Sequence, residues 1–397
     1  MNGNGALAGM RVVDLTRVLA GPLCTMILGD MGADVIKVEQ PDRGDDTRSW
    51  GPPFIGPFSA YYLSVNRNKR SLTLDLKQEE GRIVLGRLIA GADVVIDNFK
   101  LGTMEGWGFD GSWYEANAPR AVRCSITGYG STGPKAGMPG YDFILQAETG
   151  LMSITGEPDG PPMKLGVAIV DICTGMMAAI AVLGALAART STDRGQHCEV
   201  SLHDTGLLML ANVAASHLVT GKESERYGNG HPNIVPYRTY PAVDGDLAVA
   251  VGNDHQFEVF AEVLGRPEWA GDPRFVRNQD RVSNREIIDG LVAEVIATRA
   301  RAEWIELLDA AGIPAGPINT VSEALASAQV VAREMVVEMN LGSAGVIPGL
   351  GLPLRFSGTP AAIHRAPPDL GADTAGVLLE LGLSPGEIDD LRLRGVT

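Results

Sequence analysis

Apolar and polar positions change period repeatedly along the first half of the chain. Arg11-Val-Val-Asp-Leu15 reads as a strand. Leu23, Met26, Ile27 and Met31 recur at helical spacing, with Pro22 suited to the first helical position and Gly32 as the stop. Asp34–Glu39 is the next strand, so the chain opens with a short strand–helix–strand unit, the start of a parallel sheet. The alternation continues with a strand at Ser71–Leu76, a helix over about 78–90, and strands at 92–97 and 121–126. Gly140-Tyr141-Asp142 opens a helix reaching toward Gly150. Beyond Gly166, Ile172, Met176, Ala179, Ile180 and Leu183 form one apolar stripe, and Met177, Ala181 and Leu186 fill other faces. That helix reads as apolar nearly all round, hence buried. A helix over about 203–220 leads away.

The pattern then changes. Residues 221–234 are rich in Gly, Asn and His and read as a linker. Thr239–Val243 and Leu247–Val251, joined through Asp244-Gly245, read as a hairpin. Amphipathic helices follow at about 255–264, 284–297 and 301–311, then a tight connection at 311–318. One or two short helices end the chain around Ser384-Pro385. The expected fold class is α/β: a doubly wound, Rossmann-like large domain over 1–200, completed by 345–397, plus a small α+β domain over 225–330. Residues 201–224 are expected as a linker helix and 331–344 as a return linker.

A chain of 397 residues can bury a sizeable core in two domains. Its net charge of −15 argues against nucleic acid as a partner. Cys24, Cys124, Cys173 and Cys198 show no CxxC spacing and read as free thiols of a reducing cytoplasm. The six histidines form no metal-ligand pattern, so no metal site is expected. Residues 1–10 lack signal-peptide character. The longest apolar stretch, 172–188, contains Gly175 and Gly184 and reads as a core helix, so no membrane span is expected. The first strand–helix turn has no GxGxxG, which excludes a nicotinamide or flavin reading there.

Asp171 is the only charged residue between Lys164 and Arg189. It reads either as a helix N-cap or as a catalytic carboxylate at the mouth of a buried helix, kept ionised by the helix dipole. Residues 40–70 form a long loop, and its Arg67/Lys69/Arg70 cluster reads as an anion-facing loop or as a solvated basic turn. Asn98-Phe-Lys100 stands at the carboxyl end of a strand, where open α/β sheets bind ligands. Gly128, Gly130 and Gly133 allow close backbone approach to a ligand.

Leu15-Thr-Arg-Val-Leu-Ala-Gly-Pro22, Gly32–Glu39, Gly44-Asp-Asp-Thr-Arg48, Asn66-Arg-Asn-Lys-Arg70, Asp97-Asn-Phe99, Gly128-Tyr-Gly130 with Gly133-Pro134, Gly140-Tyr-Asp142 and Gly312–Pro317 stand in order along the chain. Together they resemble the family III (CaiB/BaiF) CoA-transferases over essentially its whole length. The resemblance implies an enzyme with Asp171 as the catalytic aspartate, and an interlocked homodimer of threaded rings. It implies acyl-CoA and a small carboxylic acid as substrates, no permanently bound cofactor, and CoA lying along Leu19, Ala20, Leu74, Asp75, Leu76, Lys77, Asn98, Phe99, Lys100 and Tyr141.

Within the family, 44–54, 61–69, 125–130 and 234–237 are most similar to the enzymes that move CoA from succinyl-CoA to glutarate or hydroxymethylglutarate. The racemase branch carries His where Tyr141 stands, which counts against racemisation of 2-methylacyl-CoA. The formyl-CoA enzymes carry Arg where Gln40 and Gly106 stand, so oxalate and formate are not expected, and the adenine end of CoA is expected to be held differently. A CoA-binding protein without activity is the reading from another class. Burying a second carboxylate unpaired is costly. Arg48 is therefore expected to meet an acceptor's distal carboxylate through its planar fork, with His231 and Tyr237 as the second choice; the rival reading of Arg48 is a local surface ion pair with Asp45 and Asp46.

Overall fold

The computed structural model describes residues 5–397, Ser343 by its backbone alone. Its core is a six-stranded, all-parallel sheet formed by β1 (Arg11–Leu15), β2 (Asp34–Glu39), β3 (Lys69–Thr73), β4 (Val94–Asp97), β5 (Val122–Thr127) and β6 (His197–Ser201). Their spatial order is β3-β2-β1-β4-β5-β6. The order reverses between β1 and β4, and a crevice opens there at the carboxyl ends of the strands.

Successive strand residues point to opposite faces, and both faces are covered. Val13, Leu15, Ile36, Leu72 and Val95 face a core completed by α2 (Glu79–Ala90) and, from the far end of the chain, by Val377, Leu378, Ile388 and Leu391. Val12, Val35, Val94, Ile96, Val122 and Ile126 face α1 (Ala20–Asp30) and α4 (Ile169–Thr192). Each such residue, fully buried, contributes about 1.5–3 kcal/mol.

Several elements differ from the sequence expectation. Helix α1 begins at Ala20, so Pro22 is its third residue, not its first. Strand β3 starts two residues earlier than its alternation suggests, because Lys69 and Ser71 point inward to buried polar partners. The long loop 40–70 contains a 3-10 turn at Asp46–Ser49, a small hairpin at 54–59 and a helix at Ala60–Val65. The single helix over 203–220 is two, Leu202–Leu208 and Ala211–Thr220, broken where Ala211 adopts φ 43°. Within the 331–344 stretch expected as a return linker, Val336–Asn340 is a strand that pairs with Val346–Leu350.

Two compact units emerge: 1–151 with 164–219 and 329–397, and 152–163 with 220–328. Residues 201–219 thus belong to the first, and 152–163 to the second. The second is a three-stranded antiparallel sheet, Ala315–Pro317, Gly245–Ala250 and Tyr237–Ala242. Helices Asp254–Val263, Arg285–Ile296 and Arg301–Ala310 close a core of Phe257, Phe260, Ile288, Val292, Trp304 and Leu308 over it.

Helix α4 is long and apolar enough to cross a membrane by length and composition. One side of it packs against α1, β5 and β6. It is not buried all round: Met176 and Ile180 are exposed. Gly175 is required on the packed side, since a Cβ there would stand 2.5 Å from the Ala20 carbonyl oxygen.

Candidate active site

Asp171 is the third residue of α4, whose N-cap is Ala168, so it is not itself the cap. The capping role falls to a residue from another element. Asp142, the first residue of α3 (Asp142–Glu148), is buried, and its Oδ1 accepts the Val170 N–H at 2.8 Å and the Asp171 N–H at 3.4 Å. Its Oδ2 accepts from Gln146 Nε2 at 2.6 Å, and Gln146 Oε1 accepts the Leu165 N–H at 2.8 Å. Asp142 thus takes amide groups at the start of α4. No hydrogen-bond donor among the described residues reaches the Asp171 carboxylate. Burial first, and the like charge of Asp142 second, push its pKa up to about 7. This shift runs against the helix dipole, which the sequence reading took to keep Asp171 ionised.

Asp171 lies in a cleft of about 400 Å³ whose walls include Leu19, Ala20, Asn98, Phe99, Lys100 and Tyr141. Leu74, Asp75, Leu76 and Lys77 line a second cleft of about 230 Å³ with Gln40 and Trp107. Arg17, Phe99 and Thr103 border both, so the two are neighbours at the carboxyl edge of the sheet. Leu19 and Ala20 follow β1, Leu74–Lys77 follow β3, Asn98–Lys100 follow β4, and Tyr141 precedes α3. The topology gathers these four stretches on one edge. Gly128, in the same cleft wall, has no room for a side chain: a Cβ there would strike Gly140. Among the described residues no three His, Cys, Asp or Glu side chains cluster as metal ligands.

Arg48 does not face the cleft as expected. Its Nη2 and Nε bind Glu39 at 2.7 and 2.8 Å, and Nη2 also reaches the Tyr62 hydroxyl at 2.6 Å. Nη1 donates to the Pro368 carbonyl at 3.2 Å. The guanidinium is fully engaged inside the fold, and its partner is neither Asp45 nor Asp46. His231 and Tyr237 belong to the second unit. Their rings stand 5.3 Å apart, the His231 N–H donates to the Tyr237 carbonyl, and His231 Nδ1 accepts from Asn233. Burial, then Arg285, lowers the His231 pKa.

The basic cluster also has another role. Arg67 pairs with Asp30 at 2.7 Å, Lys69 with Asp14 at 3.1 Å, and Arg70 with Asp34 and Glu380, each at 2.7 Å. These are structural ion pairs, neither a solvated turn nor an anion site. Burial brings the Lys69 pKa down to about 8, while Asp14, despite its burial, is held well below the usual carboxylate range by Lys69 and Lys37.

Three residues of the site escaped the sequence reading. Asp142 was visible only as the acid of Gly140-Tyr-Asp142. Arg17 borders both clefts and pairs with exposed Asp46 at 3.3 Å. The phenol of Tyr61 is pushed up to about 12 by burial and then by Asp171, and its ring meets Trp50 edge-on at 5.2 Å.

Comparison with known proteins agrees over nearly the whole chain. The sequence model of CoA-transferase family III matches residues 7–374. A protein of Agrobacterium fabrum named succinate–glutarate CoA-transferase is 43% identical over 381 residues, covering 94% of this chain and 95% of that protein. An acetyl-CoA:oxalate CoA-transferase of Acetobacter aceti is 39% identical, covering 89% of this chain and 90% of that protein. The crystal structure of a CaiB/BaiF family protein from Brucella suis superposes with a TM-score of 0.84 at 45% identity, covering 95% of this chain and all of that one. The chain belongs to CoA-transferase family III and is an enzyme of the transferase class.

Proposed function

We propose that this enzyme moves CoA from succinyl-CoA to a dicarboxylate such as glutarate, with Asp171 as the nucleophile. The observation that carries the reading is the state of Asp171: a carboxylate without hydrogen-bond donors, at the mouth of α4, in a cleft that neighbours a second one along the sheet edge. Such a carboxylate is poorly solvated, and once ionised it is reactive toward an acyl carbon.

The steps balance without any other group. The Asp171 carboxylate attacks the thioester carbonyl, and CoA thiolate leaves a mixed anhydride. The thiolate attacks the aspartyl carbonyl, releasing the donor acid and leaving an aspartyl-CoA thioester. The acceptor carboxylate attacks that thioester, giving a second anhydride and free thiolate. The thiolate then takes the acceptor acyl group, and Asp171 returns as carboxylate. Each carbonyl addition creates an oxyanion; one backbone N–H donor aimed at it is worth about 3 kcal/mol, a role we assign to the glycine-rich cleft wall at Gly128.

The choice of glutarate over oxalate rests on the glutarate-transferring relative of Agrobacterium fabrum and on the Gln40 and Gly106 positions, with the oxalate-transferring relative of Acetobacter aceti as the competing case. With Arg48 engaged by Glu39, the acceptor's distal carboxylate falls to a donor other than Arg48. A homodimer is part of the proposal. Leu208, Leu218 and Val219, and Met176 and Ile180 on α4, are exposed apolar side chains that a second copy would cover.

Incubation with succinyl-CoA and glutarate tests the reaction. Glutaryl-CoA should form with no net loss of thioester. Loss of thioester would mean a hydrolase, and unchanged succinyl-CoA with every dicarboxylate tried would mean a binding protein.

A further inference from the structure

The turn from β1 into α1 is held in an unfavourable conformation. Val18 has φ 73°, the left-handed region, where a β-branched side chain crowds its own backbone. Two side chains hold it there. Asn98 spends both ends of its amide on Arg17: Oδ1 accepts the Arg17 N–H at 3.0 Å, and Nδ2 donates to the Arg17 carbonyl at 2.8 Å. Asp45 Oδ1 accepts the Val18 N–H at 3.3 Å.

Asp45 is itself fixed. It accepts from the Thr47 N–H and hydroxyl at 2.9 and 2.7 Å, and Lys37 Nζ stands 2.8 Å from its Oδ2 in a pair with no exposure. Asn98 is set by its neighbour, since Asp97 Oδ1 accepts the Phe99 N–H at 3.3 Å and shapes the turn. The consequence lies one residue further on. Leu19 and Ala20 line the cleft that contains Asp171, and the Ala20 carbonyl abuts Gly175, one helical turn past Asp171.

We propose that Asn98 is a positioning residue for acyl transfer: it clamps the Arg17–Val18 peptide in its left-handed form, so that Leu19 and Ala20 stand as a fixed wall of the Asp171 cleft. The inference rests on the transferase reading of Asp171. It gives Asn98 a different task from direct contact with CoA, because its amide oxygen and nitrogen are already engaged.

The test pairs Asn98→Ala with Val18→Gly. Glycine adopts φ 73° without steric conflict, so the double variant keeps the turn with no clamp. Asn98→Ala should lower kcat by roughly 10- to 100-fold, as expected when a strained backbone is released. The KM for succinyl-CoA should move by less than about threefold, since binding of substrate and transition state would be lost equally only if Asn98 touched CoA. Adding Val18→Gly to Asn98→Ala should restore kcat by about tenfold, one decade of the stabilisation lost.

Hydrogen exchange of the amides at 16–21 should speed up in Asn98→Ala, most of all at Arg17, whose N–H loses its acceptor. A rise in KM with kcat unchanged and no rescue by glycine would overturn the proposal, as would unaltered exchange in Asn98→Ala. If the wild-type chain transfers no CoA, the reading of Asp171 fails. The exchange experiment still decides the clamp, because it needs no turnover.

Discussion

Asp142→Asn probes how the fold sets the reactivity of Asp171. The substitution removes one buried negative charge and keeps a carbonyl oxygen to accept the Val170 and Asp171 N–H groups. Its amide nitrogen would face Gln146 Nε2, so Gln146 must turn over, at a cost of about 1 kcal/mol for a disturbed hydrogen bond. The Asp171 pKa stands at about 7 against an ordinary 3.8; at 1.36 kcal/mol per unit this is about 4 kcal/mol of disfavoured charge. Burial is the larger cause, so Asp142 accounts for less than half of it. Release of CoA thiol from succinyl-CoA in a single turnover, followed from pH 5 to 9, reads the ionised fraction of Asp171. The wild-type rate should climb about tenfold per pH unit and level off near pH 7. In Asp142→Asn the break should move to lower pH, by less than half of the distance back to the ordinary carboxylate value. A break that stays in place or moves upward would refute the coupling between the two carboxylates.

Asp171→Asn should abolish transfer yet stabilise the fold at alkaline pH. A folded pKa near 7 against 3.8 unfolded means the native state binds more protons between those values. Stability is therefore lost as pH rises through this window, by up to about 4 kcal/mol. Thermal unfolding should show the variant gaining over wild type at pH 8 and not at pH 4; equal melting curves at both would contradict this. Arg48→Ala should destabilise the chain by about 3–5 kcal/mol by leaving buried Glu39 unpaired. It should not change the ratio of kcat/KM for glutarate over a monocarboxylate of equal length. A selective loss of the dicarboxylate would return Arg48 to the acceptor site.

The parallel sheet was legible because short stretches rich in Val, Ile and Leu alternate with stretches of helical spacing, and the edge loops after them carry the cleft residues. Asp171 was legible as a lone charge on an apolar segment. Its proton affinity was not, because that depends on Asp142, which lies 29 residues earlier and meets it only through the packing of α3 against α4. Arg48 was misread for a related reason. Its sequence neighbours Asp45 and Asp46 suggested a local pair, whereas Glu39 reaches it from the end of β2, nine residues back. Lys69 and Arg67 looked like surface charges because nothing local marks Asp14 and Asp30 as their buried partners. The break at 209–211 and the hairpin at 336–350 were hidden by residues compatible with either form. The positive φ of Val18 was hidden too, since sequence patterns reserve that region for glycine.

The central claim is that Asp171 becomes covalently acylated. The direct measurement is to mix the enzyme with succinyl-CoA alone, trap with hydroxylamine, digest, and locate the modified carboxyl by mass spectrometry. The account predicts a hydroxamate on Asp171 that forms only with the thioester present and disappears when glutarate is added before the trap. A hydroxamate on another carboxylate, or turnover with no trapped species at all, would contradict it.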